Sequence, residues 1–261
     1  MTERFARERV RHELARRSLR VLRIERPAPG FVRVALGGEA LDGFAAPGPA
    51  DHVKLVFPDG AGGTLMRDYT PLVFALDAPG GPELVIDFYL HGGEAGGGPA
   101  SRWAAGAEPG DELVVAGPRG SALAPRDIDE LIVVADETAL PSVMRWLDTV
   151  GAETPATVYL ALEDERHAAY LDRAAAPNRA FHRFPASTAA AAILQALRDR
   201  RITEGTFVFL AGEATALVPL RRYLRRELGL PKAQVDAHGY WKRGTAGHDH
   251  HAPIDETDPD D

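Results

Sequence analysis

A chain of 261 residues, 45% hydrophobic and 26% charged, is able to bury a substantial core as one large domain or two compact ones. Its formal charge of -8 argues against a general nucleic-acid binder, which needs a dominant basic face to neutralise phosphates. With no cysteine there are no disulfides, iron–sulfur ligands or thiol nucleophiles, so redox chemistry needs a borrowed cofactor. The charge is unevenly spread, since residues 1–26 are rich in arginine and the last thirteen residues are acidic without Lys or Arg. No apolar run is long enough to span a bilayer and no apolar leader opens the chain, which predicts a soluble cytoplasmic protein.

In chain order, residues 1–18 read as an N-terminal arm, with TERFARERVRHELARR predicted as a charged helix and given no chemistry. Over residues 19–125 the apolar runs are short and β-rich (LRVLRI, FVRVAL, HVKLVF, ELVIDFYL, ELVVAG) and separated by Pro/Gly/Asp turns, which predicts an antiparallel barrel or sandwich. Its one break is a short helix at PASRWAAGA, opened by a glycine-rich loop. Over residues 126–244 strands and helices alternate: LIVVA, TALPSVMRWLDTV, ATVYLAL, AFHRF, STAAAAILQALRDR, TFVFLAG, TALVPLRRYLRREL and AQVDAHGYW. That rhythm predicts a parallel α/β sheet, with the domain boundary near residues 124–128. Residues 245–261 form a His/Asp-rich tail predicted to be disordered.

Four places carry chemistry-bearing residues. Arg67, Tyr69 and Thr70 bring a cation, an aromatic face and a hydroxyl to one β-segment, where alternate residues share a face. A flavin requires such a set, although an ordinary strand with a surface arginine reads the same way. His91 opens the glycine-rich run into the helix, and Gly98, Ala100 and Ser101 sit where free amides attract a pyrophosphate, with the Ser101 hydroxyl as an added donor. The alternatives are a capped helix without ligand and, for His91, a strand-end histidine bonded to backbone.

Asp136, Glu137 and Thr138 follow the first parallel strand, where α/β sheets bind nucleotides, and Gly212 and Glu213 follow a later one. Adjacent carboxylates repel pyrophosphate, so the acids suit hydroxyls or a nicotinamide amide; simple helix capping is the other reading. Tyr240 and Trp241 close the last strand, either covering a flavin face or completing the core, and Lys242 and Arg243 beside them suit an anion. His248, His250 and His251 are given no specific metal site, because a mobile acidic tail offers imidazoles no fixed geometry.

In their order, MRDYT (66–70), DFYLHG with GGPASRWA (87–104), PGDELVVAGPRGS (109–121), DETALPS (136–142), AGEATAL (211–217) and GYWKRG (239–244) form a set. It resembles the siderophore-interacting protein family of FAD-dependent ferric-siderophore reductases, within the ferredoxin-reductase-like superfamily. The resemblance runs from about Leu19 to Arg243. It implies an FAD-binding β-barrel followed by a Rossmann-like NAD(P)-binding α/β domain. FAD contacts carry onto Arg67, Tyr69, Thr70, His91, Gly98, Ala100 and Ser101. Asp136, Glu137, Thr138, Gly212 and Glu213 fall around the nucleotide pocket, and Lys54 with Lys242 or Arg243 becomes the basic set for the chelate. Two positions depart from the pattern: Leu72 stands where R-x-Y-T-x-R has its last arginine, and Ala135 where the nucleotide loop begins with glycine.

The implied reaction passes a hydride from NADH or NADPH to FAD and then single electrons to Fe(III) in a siderophore, with Tyr69, Thr70 and Tyr240 placing the ring. The same resemblance leaves open a ferredoxin-type donor. A quinone or electron-transfer protein as acceptor, and a non-catalytic flavin- or siderophore-binding scaffold, are the rival readings. The expected state is a monomer without nucleic-acid or membrane partners.

Overall fold

The computed structural model describes residues 4–59, 62–75, 80–92 and 97–258. Contacts divide the chain into two compact units, residues 8–123 and residues 124 onward, the latter joined by the stretch before Glu8. Each is described by itself.

In the first unit, strands β2 (Arg16–Glu25), β3 (Phe31–Gly37), β4 (Val53–Pro58), β5 (Thr64–Tyr69), β6 (Pro71–Ala75), β7 (Glu83–Tyr89) and β8 (Glu112–Ala116) form a seven-stranded sheet. Its order is β5-β4-β8-β2-β3-β7-β6, antiparallel throughout. β5 and β6 lie at opposite edges of that order, yet only Thr70 separates them in the chain. One residue spans under about 4 Å, so the sheet must curl until its edges meet at Thr70. The antiparallel barrel predicted from the short β-rich runs is therefore present, with its seam inside the Arg-Asp-Tyr-Thr segment.

Along β4 the residues Val53, Leu55 and Phe57 are buried while Lys54 and Val56 are not, the period-2 alternation of a sheet with one face on the core. Helix α1 (Pro99–Gly106) joins that core through Ala100 and Ala104. Its Trp103 ring lies 5.7 Å from Phe57 and 5.7 Å from Phe88.

In the second unit, β10 (Glu130–Asp136), β11 (Ala156–Leu162), β12 (Arg179–Pro185), β13 (Thr206–Glu213) and β14 (Val235–Trp241) make an all-parallel sheet. β1 (Arg9–Arg11) and β9 (Gly120–Ala122) complete the strand set as an antiparallel pair in the first unit. The parallel order is β12-β11-β10-β13-β14, with α2 (Leu140–Val150), α3 (Ala189–Arg198) and α4 (Ala214–Arg222) as connecting helices. β13 reads TFVFLAGE and all but its last residue are buried, as a central strand covered on both faces requires. The chain leaves β10 towards one side and returns to its other side at β13, so the order reverses between these two strands. The crevice at the carboxyl ends of such a pair is where open α/β sheets take ligands.

Two expectations are corrected. The arm is not a helix: β1 pairs with β9, and β2 begins at Arg16, three residues before Leu19. Its residues favour helix only weakly, and strand pairing outweighs propensity of a few tenths of a kcal/mol per residue, about 0.5. The residues before Glu8 belong to the α/β unit, where Phe5 is buried with its ring 5.5 Å from Phe207. The tail is not disordered up to Asp258: Ile254 packs against the α/β core, and Asp255 and Asp258 are buried in ion pairs. Among the described residues no helix is long and apolar enough to cross a membrane.

Candidate functional site

On β5, Arg67 and Tyr69 occupy alternate positions and so project from one face, both half-buried. The Tyr69 ring lies 4.5 Å from Phe88 at 42°, which continues the aromatic run of Phe57 and Trp103 to the sheet edge. Burial pushes the Tyr69 hydroxyl up, against the pull of Arg67, so it stays a neutral phenol. Arg67 donates to the carbonyl of Met66 at 2.7 Å, and Thr70 is buried at the seam.

At the start of α1, Gly98 is the N-cap and makes no side-chain cap bond, with Pro99 in the first turn. Helix geometry leaves the first amides without intrahelical partners, here those of Ala100 and Ser101, and the helix dipole adds positive potential. Gly97 has φ +93°, and a Cβ there would run into the carbonyl oxygen of His91 and stand 3.0 Å from Ser101 Cβ. The backbone can make this approach only as glycine. The His91 ring lies 3.8 Å from where a Gly98 Cβ would be, so His91 closes one side of the cradle. The Ser101 hydroxyl is not turned outward as anticipated: the residue is 1% exposed and its Oγ donates to the Tyr89 carbonyl at 3.4 Å. Its amide is what it offers an anion. Residues 93–96 of the loop lie outside the described residues.

Lys54, expected to meet an anionic substrate, is directly opposite Asp68 across the β4–β5 pair. Its ammonium donates to both carboxylate oxygens, at 2.8 and 2.9 Å. Leu72 is 7% exposed, an apolar residue in an apolar place.

In the α/β unit Asp136, Thr138, Gly212 and Glu213 come together where the strand order reverses. Asp136 accepts from the Thr138 amide at 2.9 Å, the Thr138 hydroxyl at 2.5 Å, the Glu213 amide at 2.8 Å and the Trp241 indole at 2.8 Å. One carboxylate thus ties the ends of β10, β13 and β14. Burial pushes it up to about 6, although the bonds from Thr138 and Trp241 oppose this. Gly212 has φ +147°, and a Cβ there would sit 2.6 Å from Asp136 Oδ2.

Glu137 is 3% exposed and accepts from the Glu163 amide at 2.6 Å and His167 Nδ1 at 2.9 Å. Glu213 caps α4 through the Ala216 amide at 2.7 Å and receives the Arg243 amide at 3.0 Å. Asp136 and Glu213 each cap the helical turn that follows, as the capping alternative has it, whereas Glu137 braces the Glu163 amide and His167 instead; all three acids build the rim and are already engaged by it. Ala135 is 1% exposed, with its methyl in the core.

Tyr240 is half-buried and shares a 2.7 Å hydrogen bond with Ser142 of α2. Trp241, named from sequence only as one of an aromatic pair, proves to be the residue locked to Asp136, while the Arg243 guanidinium lies 5.8 Å from its ring centroid. Lys242 and Arg243 are exposed. Gly97 and Ser142 escaped sequence reasoning. Gly97 had a signal in the glycine run, whereas a lone serine inside a helix has none.

A barrel whose helix opens on a glycine-rich start, followed in the chain by a parallel sheet whose order reverses at a capped rim, is the build of flavin- and nicotinamide-dependent oxidoreductases. Comparison with known proteins narrows that class. Residues 128–244 match the siderophore-interacting protein model, and residues 20–65 and 61–122 match the siderophore-interacting FAD-binding domain. The chain belongs to the siderophore-interacting protein family.

An NADPH-dependent ferric-chelate reductase of Escherichia coli is 35% identical over 252 residues, covering 90% of this chain and 96% of that protein. The ferric vibriobactin reductase ViuB of Vibrio cholerae is 28% identical over 82% of this chain and 84% of its own length. Among solved structures, a siderophore utilization protein from T. fusca superposes with a TM-score of 0.82 at 34% identity, covering 95% of this chain and all of that one.

Proposed function

We propose that this chain is an FAD-dependent ferric-siderophore reductase that draws its electrons from NADPH or NADH. The observation that carries the reading is the Gly97–Ser101 cradle at the start of α1, where Gly97 leaves no room for a side chain, in the same barrel as the Arg67–Tyr69–Thr70 face. The amides of Ala100 and Ser101, with Gly98 and His91 beside them, suit the pyrophosphate, Arg67 supplies a counter-charge, and Tyr69 and Thr70 offer a flat ring and a hydroxyl. Bound flavin supplies the conversion of a two-electron hydride donor into one-electron steps.

The α/β unit takes the nicotinamide nucleotide at the rim set by Asp136, Glu137, Thr138, Gly212 and Glu213. There the acids hold the shape of the crevice, and Tyr240, anchored on Ser142, is an orienting residue. NADPH is favoured by the E. coli relative's name. The exposed cations Lys242 and Arg243 draw in an anionic chelate, a role in which Lys54 is handicapped by its pair with Asp68. No protein acid need break the chelator, because hard oxygen ligands hold ferrous iron less tightly than ferric. The site of action is the cytoplasm, where reduced nicotinamide nucleotides are made, and the working form is a monomer fed by nucleotide rather than by a ferredoxin-type protein.

Anaerobic stopped-flow mixing tests both halves. Protein loaded with FAD bleaches on addition of NADPH or NADH, and a ferric siderophore then restores the yellow absorbance. Failure of both nucleotides to bleach it, or re-oxidation by quinones in preference to every ferric chelate, would overturn the proposal.

A further inference from the structure

Three ionisable groups of the α/β unit that the reaction outlined above does not use meet beside Tyr240. Asp236 and His238 precede Tyr240 at alternate positions of β14. His238 Nε2 donates to Asp236 Oδ1 at 2.8 Å, and the other carboxylate oxygen accepts from Arg7, which belongs to the same unit. From there the contacts close a ring. The Arg7 guanidinium lies 5.5 Å from the centroid of the Trp146 ring on α2, and Ser142, one turn earlier on that helix, shares the 2.7 Å bond with Tyr240. The His238 ring completes the circuit, 6.5 Å from that of Tyr240 and 5.9 Å from Phe209 of β13. Tyr240 is thus braced from two sides, by a hydroxyl on α2 and by an imidazole whose charge can change.

The charged groups acting on His238 are Asp236 of its own strand and Arg7 of the arm, with the Tyr240 phenol beside it. On α2 the contacts run through Ser142 and Trp146, and on β13 through Phe209, none of which ionises near neutrality. Burial works against the imidazolium, but the Asp236 carboxylate outweighs burial and Arg7 together and holds the His238 pKa above its ordinary 6.5. Burial likewise pushes Asp236 up, yet His238 and Arg7 keep it well below the usual carboxylate range, so it stays charged. The imidazole is 31% exposed, which lets its second proton come and go. The cluster therefore carries one net positive charge while His238 is protonated and none once that proton is lost.

We propose that His238 is a positioning residue of the nicotinamide-nucleotide site and its proton-operated switch. With its proton it sets positive potential beside Tyr240 and favours a ligand bearing a diphosphate; without it that attraction is gone. Nucleotide binding is then strongest below the His238 midpoint and weakens as pH rises through it. The inference rests on the nucleotide reading of the α/β unit and adds the arm to it, because Arg7 helps to set where the switch operates.

Calorimetric titration of the full-length protein with NADP+ and with NAD+ between pH 6.5 and 9 tests it, beside nuclear magnetic resonance of the His238 imidazole. The dissociation constant rises about three- to tenfold across the His238 midpoint, the effect of one charge near a polyanion. It does so for NAD+ as for NADP+, which excludes titration of the extra phosphate as the cause. H238N binds both nucleotides at all pH values with the weak, high-pH affinity. Arg7→Met, checked for folding by circular dichroism, moves the imidazole midpoint and the binding midpoint upward together, because Arg7 opposes the imidazolium; Asp236→Asn moves both downward. Binding whose pH dependence survives in H238N, or a midpoint unmoved by Arg7→Met, would overturn the switch alone. Absence of binding by either nucleotide at every pH would overturn the nucleotide site and the switch together.

Discussion

Asp136 is the residue on which most of the α/β rim turns, and its state depends on pH. Folded, it holds its proton up to about 6 against an ordinary 3.8, so the native form binds more protons than the unfolded chain between those values. Its contribution to stability therefore falls as pH rises through that window and levels off above it. Protonation also turns an accepting oxygen into a donor, which loosens the bond from the Trp241 indole. The indole N–H resonance of Trp241 should titrate with a midpoint near 6 in nuclear magnetic resonance spectra, and Asp136→Asn should abolish the titration; an indole unmoved between pH 5 and 7 would contradict this.

Gly97 makes a comparable claim in the barrel. A methyl there meets the His91 carbonyl at a φ that side chains avoid, at a cost of about 1–3 kcal/mol. Gly97→Ala should thus weaken FAD binding by about tenfold or more, measured by flavin fluorescence quenching, with the α/β unit's own thermal transition unmoved.

At the scale of elements, α1 serves two ends. Its first turn offers amides, and its Trp103 reaches Phe57 and Phe88 in the core cluster of the barrel. Trp103→Ala should cost about 3 kcal/mol in urea denaturation and, by loosening the helix, reduce flavin affinity as well. A variant that loses stability but binds FAD unchanged would separate the two ends. Elements of this kind were legible because their patterns are local: PASRWAAGA follows a glycine run, and TFVFLAG is an unbroken apolar strand.

The same local signals misled at the first strands, where ARERVRHELARR has helix formers but no apolar stripe. Its fate is set by pairing with residues more than a hundred positions away, such as Val10 with Ser121. The acids at 136, 137 and 213 were placed correctly at the strand ends. Their full engagement depended on distant donors from Glu163, Arg243 and Trp241, which spacing alone does not reveal.

For the whole molecule, a charge of -8 disfavours approach of an anionic chelate, so local cations must reverse the field where it matters. Lys242→Ala with Arg243→Ala should raise KM for an anionic ferric chelate by about three- to tenfold and flatten its dependence on salt, with the rate of flavin bleaching by NADPH retained. Lys54→Ala should change KM by less, since Asp68 already neutralises that ammonium. The two-unit organisation was legible from the change of rhythm near residue 125. The ordered tail was not, because Asp255 and Asp258 become a fixed strap only when the arginines of α4 have been assembled.

The curl of the first sheet has one more consequence, for the chain's tolerance of length. Thr70 alone joins the two rims of the curled sheet, and a strand alternates inside and outside with every residue. One amino acid added there would turn either Arg67 and Tyr69 or the whole of β6 inside out. Lineages of this protein should therefore keep the spacing from residue 67 to residue 71 constant to the residue.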